Sequence, residues 1–128
     1  MIKQLISSSK TIAIVGLSPK KERPSNKVAQ YLMDVGYRVI PVNPGHKEIL
    51  GERCYGSLLD IPIKIDIVDV FRASEYVLAV VDDAIQVGAK VVWLQLGISH
   101  KEAEERAAAE GIAVIKDLCL AVEHQRLF

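Results

Sequence analysis

Aromatic rings are scarce in this chain: four Tyr, two Phe and one Trp among 128 residues. Recognition of RNA by stacking unpaired bases has little to build on. Cysteine is scarcer still. Cys54 and Cys119 lie far apart, in no CxxC or Cys/His cluster, so no zinc site is expected. Nothing in the sequence beside either thiol marks it as reactive. Such sparing use fits a reducing compartment, and a cytoplasmic location is expected. No apolar run approaches the roughly 20 residues of a membrane span. The opening Met1-Ile2-Lys3-Gln4-Leu5-Ile6-Ser7 lacks the long apolar core of a secretory signal. Excess charge is also missing, because 16 basic residues balance 16 acidic ones. That balance argues against non-specific nucleic-acid binding, which relies on neutralising phosphates.

The chain does hold a large aliphatic complement. Half of it is apolar, with 29 Val and Ile, which excludes disorder. The length suits one domain spanning 1–128, long enough to bury a real core. The neutral total also hides a polarity. Residues 1–64 carry ten Lys/Arg against five Asp/Glu, and residues 65–128 carry six against eleven. An uneven distribution of this kind points to a local anionic partner.

Short apolar runs alternate with helical patterns. Thr11-Ile12-Ala13-Ile14-Val15 reads as a strand buried on both faces, ended by Gly16. Ser25 to Val35 reads as a helix with Ser25 as N-cap and Gly36 as its stop. Strands are expected at Arg38–Val42, Lys64–Phe71, Lys90–Leu94 and Ile112–Ile115. Between them fall a polar connection from Asn43 to about Gly56, a helical turn at Ser57–Asp60, and a helix from Ser74 to Val87. Ser99-His100-Lys101-Glu102 reads as a capping box that opens a helix stopping at Gly111. Short helices are expected at Ile2–Ser8 and Leu118–Arg126. Strand–helix–strand repetition with short joints predicts a Rossmann-like, doubly wound α/β domain: about five parallel strands in three α/β/α layers. Ligands of such sheets bind at the carboxyl ends of the strands.

The first strand is followed by Gly16-Leu17-Ser18-Pro19-Lys20-Lys21-Glu22-Arg23-Pro24-Ser25-Asn26-Lys27. A glycine turn leading to a helix N-terminus, with four cations against one acid, suits a phosphate or pyrophosphate. A solvated basic loop is the plainer alternative. The segment is not a GxGxxG fingerprint, since Ser18 and Lys21 stand where further glycines would be. The second strand ends Val42-Asn43-Pro44-Gly45-His46-Lys47, without the carboxylate that holds the ribose diol of NAD. An amide and a lysine would accept a phosphorylated ribose, as in NADP or coenzyme A. The same residues also compose an ordinary turn. Phe71, Arg72, Gln95 and Gly97 end the third and fourth strands; each has a plain structural reading as well as a binding one. No nucleophile elbow, Walker A pattern or histidine-centred catalytic set is present. Asp82-Asp83 and the glutamates after position 101 read as solvated helix faces.

Ile14-Val15-Gly16-Leu17-Ser18, Pro41-Val42-Asn43-Pro44, Asp66-Ile67-Val68-Asp69-Val70-Phe71-Arg72 and Trp93-Leu94-Gln95-Leu96-Gly97 together resemble the small stand-alone CoA-binding domain proteins. That family is similar to the N-terminal CoA-binding domain of the succinyl-CoA synthetase alpha subunit. The resemblance runs from about Ser9 to Cys119. It implies coenzyme A, or an acyl-CoA, bound across the strand ends; with no catalytic cluster in the sequence, a binding module without catalysis of its own is the leading expectation. It places Gly16, Leu17 and Ser18 at the phosphates, and Asn43, Pro44 and Lys47 near the adenosine end. Val70, Phe71 and Arg72 would line the middle, and Gln95 and Gly97 the far wall. Lys21, Arg23 and Ser25 join the candidate site on charge and helix position alone. The phosphorylated histidine of the larger synthetases belongs to a second domain, so ligase chemistry is not carried over. Two other readings stay open: an NADP- or NAD-binding module of an oxidoreductase or redox sensor, and a structural subunit with a vestigial pocket. A homodimer or a further protein partner is compatible with the composition.

Overall fold

The computed structural model describes residues 1–128. The chain runs through α1 (Ile2–Ser7), β1 (Thr11–Val15), α2 (Pro24–Asp34), β2 (Arg38–Val42), β3 (Glu48–Ile49) and β4 (Glu52–Arg53). It continues through β5 (Ile67–Val70), α3 (Val77–Gln86), β6 (Val91–Leu94), α4 (Lys101–Ala109), β7 (Ala113–Lys116) and α5 (Leu120–Leu127). Five strands form one parallel sheet in the order β2-β1-β5-β6-β7. From β1 the chain moves outward to β2, then returns to the other side of β1 at β5. The order therefore reverses between β1 and β5, and the crevice above that pair is where a doubly wound sheet takes its ligand. The predicted Rossmann-like α/β/α architecture is the one found.

Alternation along each strand divides the core in two. Ala13, Val15, Val68, Val70, Val92 and Leu94 pack against α3 and α4 on one face. Ile12, Ile14, Ile67, Val91 and Trp93 pack against α1, α2 and α5 on the other. The interior strands read as unbroken apolar runs because both of their faces are covered. Pro41 is tolerated because β2 is an edge strand. Its outward carbonyl accepts the Tyr55 N–H at 3.0 Å, and its missing donor falls on that same outer side. No helix is long and apolar enough to cross a membrane.

Several expected details differ. The connection after β2 is not wholly irregular: β3 and β4 form a small antiparallel hairpin. The third strand of the sheet starts at Ile67, three residues later than expected. Asp66 is occupied before it, accepting the Lys10 and Thr11 N–H groups at 2.8 and 3.1 Å and pairing with Lys90 at 3.4 Å. The cap of α4 is His100 rather than Ser99: its Nδ1 accepts the Ala103 N–H, while Glu104 accepts the His100 N–H. The segment at 74–76 forms a separate 3-10 turn before α3. His124, in α5, is tied into the fold. Its Nδ1 lies 2.6 Å from the Tyr31 hydroxyl, and its ring stacks on Phe128.

Candidate functional site

The turn after β1 is built by its neighbours. Gly16 has φ +90°, and a β-carbon there would lie 2.5 Å from the Phe71 carbonyl oxygen. Its own N–H is taken by the Val42 carbonyl at 2.8 Å, so Gly16 offers no donor to a ligand. Leu17 is fully buried, and its carbonyl accepts Asn43 Nδ2 at 2.9 Å. The Ser18 carbonyl accepts Asn26 Nδ2 at 2.8 Å, and the Ser18 N–H donates to Ser25 Oγ at 3.0 Å. Ser18 Oγ in turn accepts the Lys20 N–H at 3.1 Å. The loop is thus held from beneath by two amide side chains and one hydroxyl.

These bonds revise one assignment and show what two amide side chains do. Ser25 is not the N-cap of α2. That place belongs to Arg23, with Pro24 in the first helical position, where a missing N–H costs nothing. Asn43 gives its Nδ2 to the Leu17 carbonyl, so that end of its amide serves the loop. Asn26, which sequence reasoning passed over, is nearly fully buried and performs the same task from α2. The Leu17 and Ser25 N–H groups make no hydrogen bond within the chain. Ser25 lies in the first turn of α2, at the positive end of its dipole. Lys20, Lys21, Arg23 and Lys27 are all exposed around it.

Two cavities flank this loop across the strand ends. One, of about 180 Å³, lies on the α3 side and is lined by Val42, Pro44, Ser57, Tyr76 and Asp83 among others. The second, of about 450 Å³, crosses β5 and β6 and is lined by Pro24, Phe71, Gln95, Leu96, Ile98 and Cys119 among others. Arg72 lines both cavities, and its guanidinium sits 4.4 Å from the centre of the Tyr76 ring. It is the cation at the junction.

Of the other expected residues, Phe71 lies half-buried in the wall of the larger cavity, and Pro44, exposed, borders the smaller. Val70 was expected along the groove but is fully buried, facing α3. Lys47 is exposed in the turn leading to β3 and lines neither cavity. Gly97 is exposed with φ +78°, its N–H donated to Asp117 Oδ1 at 3.1 Å, and it lines neither cavity. Asp83, read as a solvated helix position, reaches the wall of the smaller cavity. Burial raises its carboxyl above the ordinary range, and repulsion by Asp82 adds to this against the opposing Ser57 hydrogen bond.

Beneath the crevice lies a carboxyl with no partner. Asp69 is completely buried in the central strand β5, opposite Ile14 and Trp93, and neither of its oxygens is hydrogen-bonded. Desolvation pushes it well above the usual carboxylate range. The sequence carried a signal of it: one acid inside the run Ile67-Val68-Asp69-Val70.

A parallel sheet with its switch point under a glycine turn, a basic helix start and two neighbouring cavities define a Rossmann-like domain. A CoA binding domain model matches residues 10–125. The chain belongs to that CoA-binding domain family. It is 42% identical over 123 residues to the uncharacterized protein YneT of Bacillus subtilis, covering 96% of this chain and 91% of that one. It superposes on a hypothetical protein from Pyrococcus horikoshii OT3 with a TM-score of 0.96 at 44% identity, covering 98% of this chain and 89% of the other. It is also 27% identical over 123 residues to the ADP-forming acetate–CoA ligase I of Archaeoglobus fulgidus, covering 88% of this chain but 18% of the ligase.

Proposed function

We propose that this protein binds coenzyme A, or an acyl-CoA, at the carboxyl ends of its parallel strands, as a binding module without catalysis of its own. The observation that carries this reading is the crevice: two cavities of different character meet at one arginine beside a basic helix start. The free Ser25 N–H at the start of α2, with Lys21 and Arg23, supplies a donor and charge for a pyrophosphate. The smaller cavity suits a flat ring carrying an amino group, because Asp83 offers an acceptor there and would repel a phosphate. Lys47, beyond Pro44, is the cation for a ribose phosphate at that end. The larger cavity, walled by Phe71, Leu96 and Ile98, suits the pantetheine arm. None of the three histidines lines either cavity.

The test is calorimetric titration of the purified protein with CoA, dephospho-CoA, NADP and NAD. Tightest binding by CoA, weakened by loss of the ribose phosphate, is expected. Preference for NADP would overturn the reading, and no heat with any of the four would leave the crevice without its ligand.

A further inference from the structure

The two cysteines differ sharply in setting. Cys54 is buried, its thiol donates to the Asn43 carbonyl at 3.4 Å, and burial pushes its titration up. Cys119 is only partly buried, unpaired by disulfide, and stands in the wall of the larger cavity. A thiol at a cavity wall is not in itself a site. The second observation is Gln95. This side chain is only 5% exposed and lines the same cavity. Its Oε1 accepts the Leu120 N–H at 3.1 Å, which fixes the orientation of the amide, since only the oxygen end can receive that donor. Nε2 is left with no partner in the protein, at the cavity wall. The Gln95 side chain is otherwise buried, and this amide end, open to the cavity, is a donor for a ligand acceptor.

Gln95 and Cys119 are also held together. Leu120, whose N–H grips Gln95, is bonded directly to Cys119, the residue that caps α5. A ligand carbonyl accepting from Gln95 Nε2 would share with Cys119 the wall of one cavity. In a pantetheine arm, the last amide carbonyl is separated from the sulfur only by the cysteamine unit. The crevice from the α2 start to this point crosses β1, β5 and β6, about 10 Å at the usual strand spacing. An extended arm spans that readily.

Resting on the CoA reading above, we propose that Cys119 is a thiol–disulfide exchange site for CoA, so that the protein captures CoA disulfide as a mixed disulfide. The Cys119 thiolate attacks one sulfur of the CoA disulfide. A bond forms between Sγ and that sulfur, the original sulfur–sulfur bond breaks, and its electron pair leaves on the second CoA, which takes up a proton. The disulfide is itself the oxidant, and Cys119 is oxidised as one CoA is released reduced. Exchange with a free thiol reverses the step.

The experiment incubates the full chain with CoA disulfide, and separately with glutathione disulfide, and follows intact mass over time. The expected result is a single CoA adduct, mapped by peptide mass to Cys119 and not Cys54. It should form at least about tenfold faster than the glutathione adduct, because binding raises the effective concentration of the attacked sulfur. The rate should saturate with CoA disulfide, fall in excess reduced CoA, and vanish in Cys119→Ser. Gln95→Leu should slow capture while leaving labelling by a small alkylating reagent unchanged. Equal, unsaturable rates with both disulfides, or an adduct at Cys54, would overturn the proposal. Calorimetry of Cys119→Ser with CoA separates the two levels. Binding without any adduct in the parent chain sinks the exchange site alone. Absence of CoA binding sinks the reading beneath it as well.

Discussion

A β-carbon on Gly16 would come within 2.5 Å of the carbonyl oxygen of Phe71, so the ends of β1 and β5 touch through a position that only glycine can fill. The same residue has φ +90°, a conformation side chains rarely adopt. Gly45 has a similar φ of +89° but nothing within 4 Å of its would-be β-carbon. Gly16→Ala should therefore cost about 2–4 kcal/mol in urea unfolding, strain plus clash, and Gly45→Ala about 1 kcal/mol from strain alone. Equal losses would mean that the contact with Phe71 contributes nothing.

Two side-chain amides hold the loop after β1 from beneath, and on the CoA reading they would act on the ligand through the loop backbone. Asn26→Asp or Asn43→Asp replaces a donor with an acceptor facing a carbonyl oxygen. Each should weaken CoA binding by about tenfold or more, with roughly 1–3 kcal/mol of stability lost as a buried carbonyl goes unpaired. Calorimetry beside urea unfolding reads both. Undiminished affinity in a variant with lowered stability would assign these residues to folding only.

The basic loop can be separated from the fold, because Lys21 and Arg23 are exposed and make no ion pair within the chain. Lys21→Ala and Arg23→Ala should each weaken CoA binding by about threefold at low salt and flatten its decline with ionic strength. Their melting temperatures should match the parent. A salt dependence identical to the parent's would return the loop to a solvated surface.

Asp69 should leave its mark on stability against pH. Its carboxyl is raised in the folded protein above its unfolded value of about 3.9. Below about pH 4 both states hold the proton, and the group adds no pH dependence. As pH rises further, the unfolded chain releases the proton and the folded chain keeps it. Stability then falls by about 1.4 kcal/mol per pH unit from this group until the folded carboxyl ionises. Asp66 and Glu104 work in the opposite sense. Hydrogen bonds and lysine partners outweigh their desolvation and lower them, so their contribution is lost as pH falls. Asp69→Asn should consequently gain stability relative to the parent as pH rises from about 5 to about 8, read by urea unfolding at each pH. Parallel curves for the two proteins would refute an isolated carboxyl.

Much of the fold was legible because interior strands of a parallel sheet must be apolar on both faces, as Thr11–Val15 and Val91–Leu94 are. The turns followed from glycines such as Gly36 and Gly111. Strand order was not legible, since no local pattern states that β5 returns beside β1. The β3–β4 hairpin was missed because two-residue strands leave no periodicity. Ser25 was misread because a serine before an apolar helix looks the same whether its hydroxyl caps that helix or holds the neighbouring loop at Ser18. The larger cavity escaped because Pro24, Phe71, Gln95 and Cys119 come from four separate segments and meet only when the sheet is assembled.

The most direct test of the account is to map CoA onto the chain by amide chemical shifts. Titration of the isotope-labelled protein should move the signals of Leu17, Ser18, Ser25, Arg72 and the Gln95 side-chain amide together, along one saturation curve. Signals of the exposed edge at β7 and of α1 should stay in place. Shifts confined to those outer elements, or none at saturating CoA, would contradict a ligand crevice at the β1–β5 switch point.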